Sequence, residues 1–148
     1  MTKEKKRKMK FLKIALLSFV IALSFNSCSI DDNAPNYSFE VIPVEGFTVP
    51  DSFETGGLYT ITLQYRMPTN CHIYSGIYYE KSSDTRVIGI TSQVPTGAVC
   101  NTAVPELRTA TFQFECTPGY QHYVFKFYKG KDDQGNNIFE EVTIPVNY

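Results

Sequence analysis

The chain has 148 residues and a formal charge of only −1, but that figure averages two unlike parts. Seven of its 14 basic residues, together with Glu4, fall within residues 1–27, which leaves 7 basic and 14 acidic residues and a net charge of −7 in residues 28–148. A domain this acidic, with no basic cluster, argues against nucleic acid as a partner, because displacing counterions from phosphates takes grouped Lys and Arg; it is also repelled by anionic lipid headgroups.

The first element is a cationic start, Lys3, Lys5, Lys6, Arg7, Lys8, Lys10 and Lys13, followed by a run from Ile14 to Phe25 (IALLSFVIALSF) that is almost purely apolar. A bilayer-spanning helix needs roughly 20 apolar residues, and this run stops short of that at Asn26. Charged start, short apolar stretch and Phe25-Asn26-Ser27-Cys28 have the order of a secretory signal cut just before a cysteine that then carries lipid. Residues 1–27 are therefore expected to be a signal peptide. Cys28 is the expected lipidation site, and residues 28–36, with Asp31, Asp32 and Pro35, the acidic tether.

From residue 37 onward no segment has a helical period. Period-two alternation recurs instead, broken by Gly, Pro, Asn and Asp. Ser38 to Phe47 reads as strand A, interrupted at Pro43, which suits an edge or a bulge. Val49 to Gly57 is a loop. Leu58 to Arg66 (LYTITLQYR) is strand B, with Ile61, Leu63 and Tyr65 on one face. Cys71 to Glu80 is C and Arg86 to Gln93 is C′. An irregular stretch from Val94 to Glu106 follows. Leu107 to Cys116 is E, with Ala110, Phe112, Phe114 and Cys116 facing together. Tyr123 to Lys131 (F) and Asn137 to Val146 (G) form a hairpin across Asp132-Asp133-Gln134-Gly135-Asn136, which is turn chemistry. The expected fold is all-β: a seven-stranded antiparallel sandwich over residues 37–148.

These features carry a resemblance. Residues 14–28 resemble a bacterial lipoprotein signal with its lipobox, with Phe25 where Leu is usual and Asn26 where a small residue is usual. Ser29-Ile30-Asp31-Asp32 resembles the acidic export tag of Bacteroidota-type surface lipoproteins, and equally reads as a solvated linker. The strand pattern resembles immunoglobulin-like and fibronectin-type-III-like sandwiches, although with no Trp in the chain the immunoglobulin Cys…Trp…Cys pattern is lacking. The composite is similar to small Bacteroidota surface lipoproteins. That resemblance implies an outer-membrane, lipid-anchored protein exposed at the cell surface, and brings no activity with it.

Three cysteines lie beyond Cys28, in a compartment expected to be oxidising. Strands alternate in direction, so Cys71 at the start of C and Cys100 after C′ share one end of the sandwich. Cys116 ends E, a strand that crosses about 25–30 Å at 3.3 Å per residue. A disulfide tolerates a Cα separation below about 7 Å. The expected bridge is Cys71–Cys100, and Cys116 is expected as a buried free thiol.

No metal or cofactor is expected. His72 follows Cys71 directly and points to the opposite face, His122 belongs to the other end, and there is neither CxxC nor HxxxH. Cys116 and His122 share an end, but a thiol on an apolar face is usually inert. Asp132, Asp133, Asn136 and Asn137 offer oxygens for calcium, and the same residues are what a hairpin turn needs. Tyr74, Tyr78, Tyr79, Tyr123 and Tyr128 read as a glycan platform or as core and cross-strand pairs.

No pair of acid and base groups can be named, so the domain is not expected to be an enzyme. The expectation is a non-catalytic binding or structural module on the cell envelope, with a protein or glycan partner. The alternative is an accessory component of an outer-membrane nutrient-uptake or glycan-capture complex. By the same alternation, the A–B loop, the C–C′ turn and the E–F turn lie at the end away from the tether, where loops on a rigid scaffold commonly bind. Phe53, an aromatic in a polar loop, is the candidate apolar anchor there, or else a plug for the end of the core.

Overall fold

The computed structural model describes residues 36–102 and 106–147. Among them there are nine strands: β1 (Tyr37–Ile42), β2 (Gly46–Thr48), β3 (Phe53–Glu54), β4 (Leu58–Tyr65), β5 (Ile73–Ser82), β6 (Thr85–Pro95), β7 (Arg108–Glu115), β8 (His122–Lys131) and β9 (Asn137–Asn147). They form a six-stranded sheet, in which β5 lies beside β6 and the rest run β1-β6-β8-β9-β3, and a three-stranded sheet β2-β4-β7. The molecule is all-β and sandwich-like, as the alternation implied. Signal peptide, Cys28 and nearly all of the tether lie outside the described residues.

Two departures from the expected seven antiparallel strands have physical causes. Strand A is two strands. Pro43 has no N–H to give to a ladder, and the chain changes sheets there: Val44 N–H donates to Tyr128 O at 2.8 Å in the large sheet, and Glu45 N–H donates to Gln64 O at 2.8 Å in the small one. A two-residue β3 then pairs parallel with the end of β9.

The second departure is the order within the large sheet. In the immunoglobulin arrangement strand C neighbours F. Here β6, the strand read as C′, takes that place and runs parallel to β8, from Thr85↔Val124 to Ile88↔Phe127. Its last six residues pair antiparallel with β1, from Ile90↔Ile42 to Pro95↔Tyr37. Its other edge is filled by β5. The composition of the two strands accounts for the exchange. β6 (TRVIGITSQVP) alternates buried Arg86, Ile88, Ile90 and Ser92 on its inner face and is paired along both edges, as a central strand must be. β5 (IYSGIYYEKS) is mostly exposed, carries Glu80 and Lys81, and is bulged between Tyr74 and Gly76. Charge and a bulge are what protect an edge strand from pairing with another chain.

The core lies between the sheets. Ile61, Leu63 and Tyr65 face it from β4, Ile88 and Ile90 from β6, Ala110 and Phe114 from β7, Tyr123, Phe125 and Phe127 from β8, and Ile144 and Val146 from β9. Phe53 belongs to it as well. The residue is 0% exposed, and its ring centroid lies 4.7 Å from Tyr59, 4.8 Å from Phe114 and 5.8 Å from Phe125. As a binding anchor it is corrected. An apolar ring lowers the free energy most when it is buried among other rings, and the polar loop around it only carries it there.

Cys71 and Cys100 are joined in a disulfide with a Cα separation of 5.5 Å. Beside it, Asn101 N–H donates to Asn70 Oδ1 at 2.9 Å and Asn70 N–H to Asn101 O at 3.2 Å. The irregular segment after β6 is thereby fastened to the turn before β5. Cys116 is a buried free thiol, and burial pushes its pKa up.

Candidate functional site

The alternation that buries one face of the large sheet presents the other to solvent, and that outer face is the best candidate site. Register sets its rows. Tyr78 pairs with Gly89, and Tyr128 with Phe139. Because Ile88 pairs with Phe127, Gly89 comes next to Tyr128, and one row reads Tyr78, Gly89, Tyr128, Phe139 across β5, β6, β8 and β9. The next row reads Glu80, Val87, Lys126, Glu141, with Lys126 and Glu141 in a 2.7 Å ion pair.

The missing side chain at Gly89 shapes this face. A Cβ there would stand 2.6 Å from Val41 Cγ1, 3.5 Å from Tyr128 Cβ and 3.7 Å from Tyr78 Cβ. A gap of 2.6 Å is a clash, so glycine lets β1 bring Val41 in close and leaves a floor between two tyrosines. The result is a groove of about 610 Å³ lined by Val41, Tyr78, Val87, Tyr128 and Phe139, with Glu40, Glu80 and Lys131 also bordering it. Tyr78 Oη donates to Glu80 Oε2 at 2.7 Å, which fixes the ring and pushes the phenol above its usual pKa. Tyr128 and Phe139 support each other at 6.0 Å. Phe39 and Ile73 flank Gln93 on the same face and are exposed, extending the apolar surface beyond the groove. A sheet face of rings and small aliphatics edged by carboxylates can hold an apolar or ring-shaped ligand, by stacking and burial.

The five tyrosines read together in the sequence separate. Tyr78 and Tyr128 meet in the groove. Tyr123 is core, and its hydroxyl lies 2.9 Å from Thr117 Oγ1. Tyr74 stacks on Tyr65 at 5.7 Å, and Tyr79 meets Phe112 edge-on at 5.7 Å.

The two histidines serve structure at separate ends. His72 Nδ1 lies 2.7 Å from Thr69 Oγ1 and its Nε2 3.3 Å from Glu40 Oε2, tying the start of β5 to β1. His122 Nε2 lies 3.3 Å from Asp84. In the β8–β9 turn, Asp132 takes the N–H groups of Gln134 and Asn136 and the side-chain amide of Asn136 at 2.8–3.0 Å. Its lone pairs serve the hairpin, and those bonds lower its pKa. Among the described residues no group of three or more His, Cys, Asp and Glu is placed to hold a metal, and no helix is long and apolar enough to cross a membrane.

Val41, Gly89, Phe139 and Arg86 escaped the sequence reading. Val41 and Gly89 act only through the β1–β6 pairing, which alternation cannot foresee. Arg86 had a visible signal: it shares the parity of Ile88 and Ile90 and so had to face inward. In comparisons with known proteins, no family model, no curated protein and no solved structure matches this chain.

Proposed function

We propose that this chain is a lipid-anchored protein of the outer membrane, held through Cys28 and displayed at the cell surface, and that it works as a non-catalytic binding module. Its domain is read as an immunoglobulin-like sandwich with permuted strands, β6 standing where β5 would. The observation that carries the binding role is the row Tyr78, Gly89, Tyr128, Phe139, a glycine-floored aromatic groove on the outer face of the large sheet. The groove's aromatic rings specifically favour the second reading, an accessory component of a glycan-capture or nutrient-uptake complex, because sugar rings stack on aromatic faces.

Two experiments test this. Cells carrying Cys28→Ala are fractionated, and the variant is expected to leave the membrane fraction; if it stays there as firmly as the parent, lipid is not the anchor. The full chain in detergent is applied to a glycan array beside Tyr78→Ala. Glycan binding lost in the variant supports glycan capture. Binding of equal strength in both proteins removes the groove as the site.

A further inference from the structure

We propose that a second groove, on the flank where the two sheets part, binds a small ligand that carries a carboxylate on a ring. The groove has a volume of about 440 Å³ and lies between the β5–β6 edge of the large sheet (Ile77, Tyr79, Lys81, Arg86) and β7 of the small one, with Phe112 and Glu115. It lies on the inner side of the large sheet, so it is distinct from the outer groove and stands or falls separately.

Arg86 is the reason. Its residue is 2% exposed, yet among the described residues it makes no ion pair with a carboxylate. Burying a guanidinium without a counter-charge is costly, and proteins that do so usually satisfy every donor. Here the donors are only partly satisfied. Nη1 donates to Ser83 O at 2.7 Å and Thr85 O at 2.8 Å. The guanidinium carbon stands 4.8 Å from the Tyr123 ring centre and 5.8 Å from that of Phe114. Burial raises the pKa of the Tyr79 phenol, and the Arg86 guanidinium nearby opposes that rise. Nε is buried with no acceptor.

A donor left unmade in a rigid position is a demand for an oxygen atom. With Nη1 committed to carbonyls, the Nε edge remains, and that edge of a guanidinium takes a planar carboxylate side-on through two parallel bonds. The Tyr79 phenol is the group such a ligand displaces, since Tyr79 is 44% exposed and stands on an edge strand. Once the carboxylate is seated, Tyr79 and Phe112 supply the apolar surface for the ring that bears it. Lys81 on the same wall offsets Glu115, so the pocket is positive inside a domain that is strongly negative. Local charge, geometry and aromatic walls select a carboxylate over a neutral or cationic ligand of the same shape.

The test uses the full chain in detergent, labelled with ¹⁵N-arginine, and follows the Arg86 Nε–H resonance. Glucuronate and benzoate are titrated as a sugar acid and an aromatic acid, with glucose and benzamide as uncharged counterparts. A saturable shift with at least one acid, half-complete below about 10 mM, and none with its uncharged counterpart is expected; whichever acid acts names the source of the carboxylate. Binding followed through the ligand's own signals should weaken at least tenfold in Arg86→Lys. Should that variant not fold, Lys81→Glu, on an exposed side chain, should weaken the acid several-fold and leave the uncharged compounds unchanged. An Nε–H resonance that neither acid moves, or an acid affinity indifferent to Lys81→Glu, overturns the proposal and leaves Arg86 as a prop for the β5–β6 turn.

Discussion

Phe53 shows how one side chain decides what a loop is for. The segment around it is polar and reads as a loop whose ring either anchors a partner or plugs the core; the ring touches aromatics from β4, β7 and β8, so it is the plug. Removing a buried Phe costs about 3–5 kcal/mol through lost burial and the cavity left behind. Phe53→Ala should lower the melting temperature by roughly 10 °C or more, and an unchanged melt would contradict its place in the core. Asp132 makes a prediction of a different kind. Its hydrogen bonds hold the folded-state pKa below the ordinary aspartate range. The turn's contribution is thus present at neutral pH and above the unfolded value, and is lost only as pH falls through the lower folded value. The amide signals of Gln134 and Asn136 should titrate with a midpoint under that of an ordinary Asp; a midpoint at or above it would show that the carboxylate is not held. Cys116 was also legible one residue at a time, because a thiol in phase with Ala110, Phe112 and Phe114 goes inward with them.

Strands as units were read well and their partners were not. Alternation located β4, β7, β8 and β9 to within a residue or two, since their apolar positions face one core. The fate of β5 and β6 depended on which of two adjacent hairpin strands the sheet would place in its interior. Period-two patterning is the same for either choice, and only the Gly76 bulge and the charges of β5 hinted at the edge. The Cys71–Cys100 bridge survived that error because it needs only strand direction, which is unchanged when neighbours trade places. Its loop, with a sequence separation of 29, contributes about 3–4 kcal/mol in the chain-entropy model. Reduction under native conditions should lower the denaturation midpoint accordingly, and the Asn70 and Asn101 amides should lose exchange protection first. Equal midpoints in the two redox states would mean that the strands alone fix that end.

At the scale of the molecule, class and chain direction could be read from the sequence, whereas the two grooves could not. Each groove is made by residues far apart in the chain. The outer one needs β1, β5, β6, β8 and β9 at once, with Val41 leaning over Gly89. The flank one needs β5 and β6 to meet β7 across the gap between sheets. Neither has a local motif, because backbone register supplies the proximity that a motif would otherwise encode. The tyrosines illustrate it: five similar residues were grouped by chemistry, and pairing sent them to the outer groove, the flank and the core.

The change of sheets at Val44 and Glu45 has a mechanical consequence. β1 is bonded along its whole length to β6, and hydrogen bonds between antiparallel strands lie across the strand axis. A pull on Tyr37 along that axis therefore loads these bonds in shear, all together, whereas a sideways pull would peel them one at a time. Two residues past the end of β1 the chain is bonded to β8 and then to β4, so tension that outlasts the first strand is divided between both layers of the sandwich.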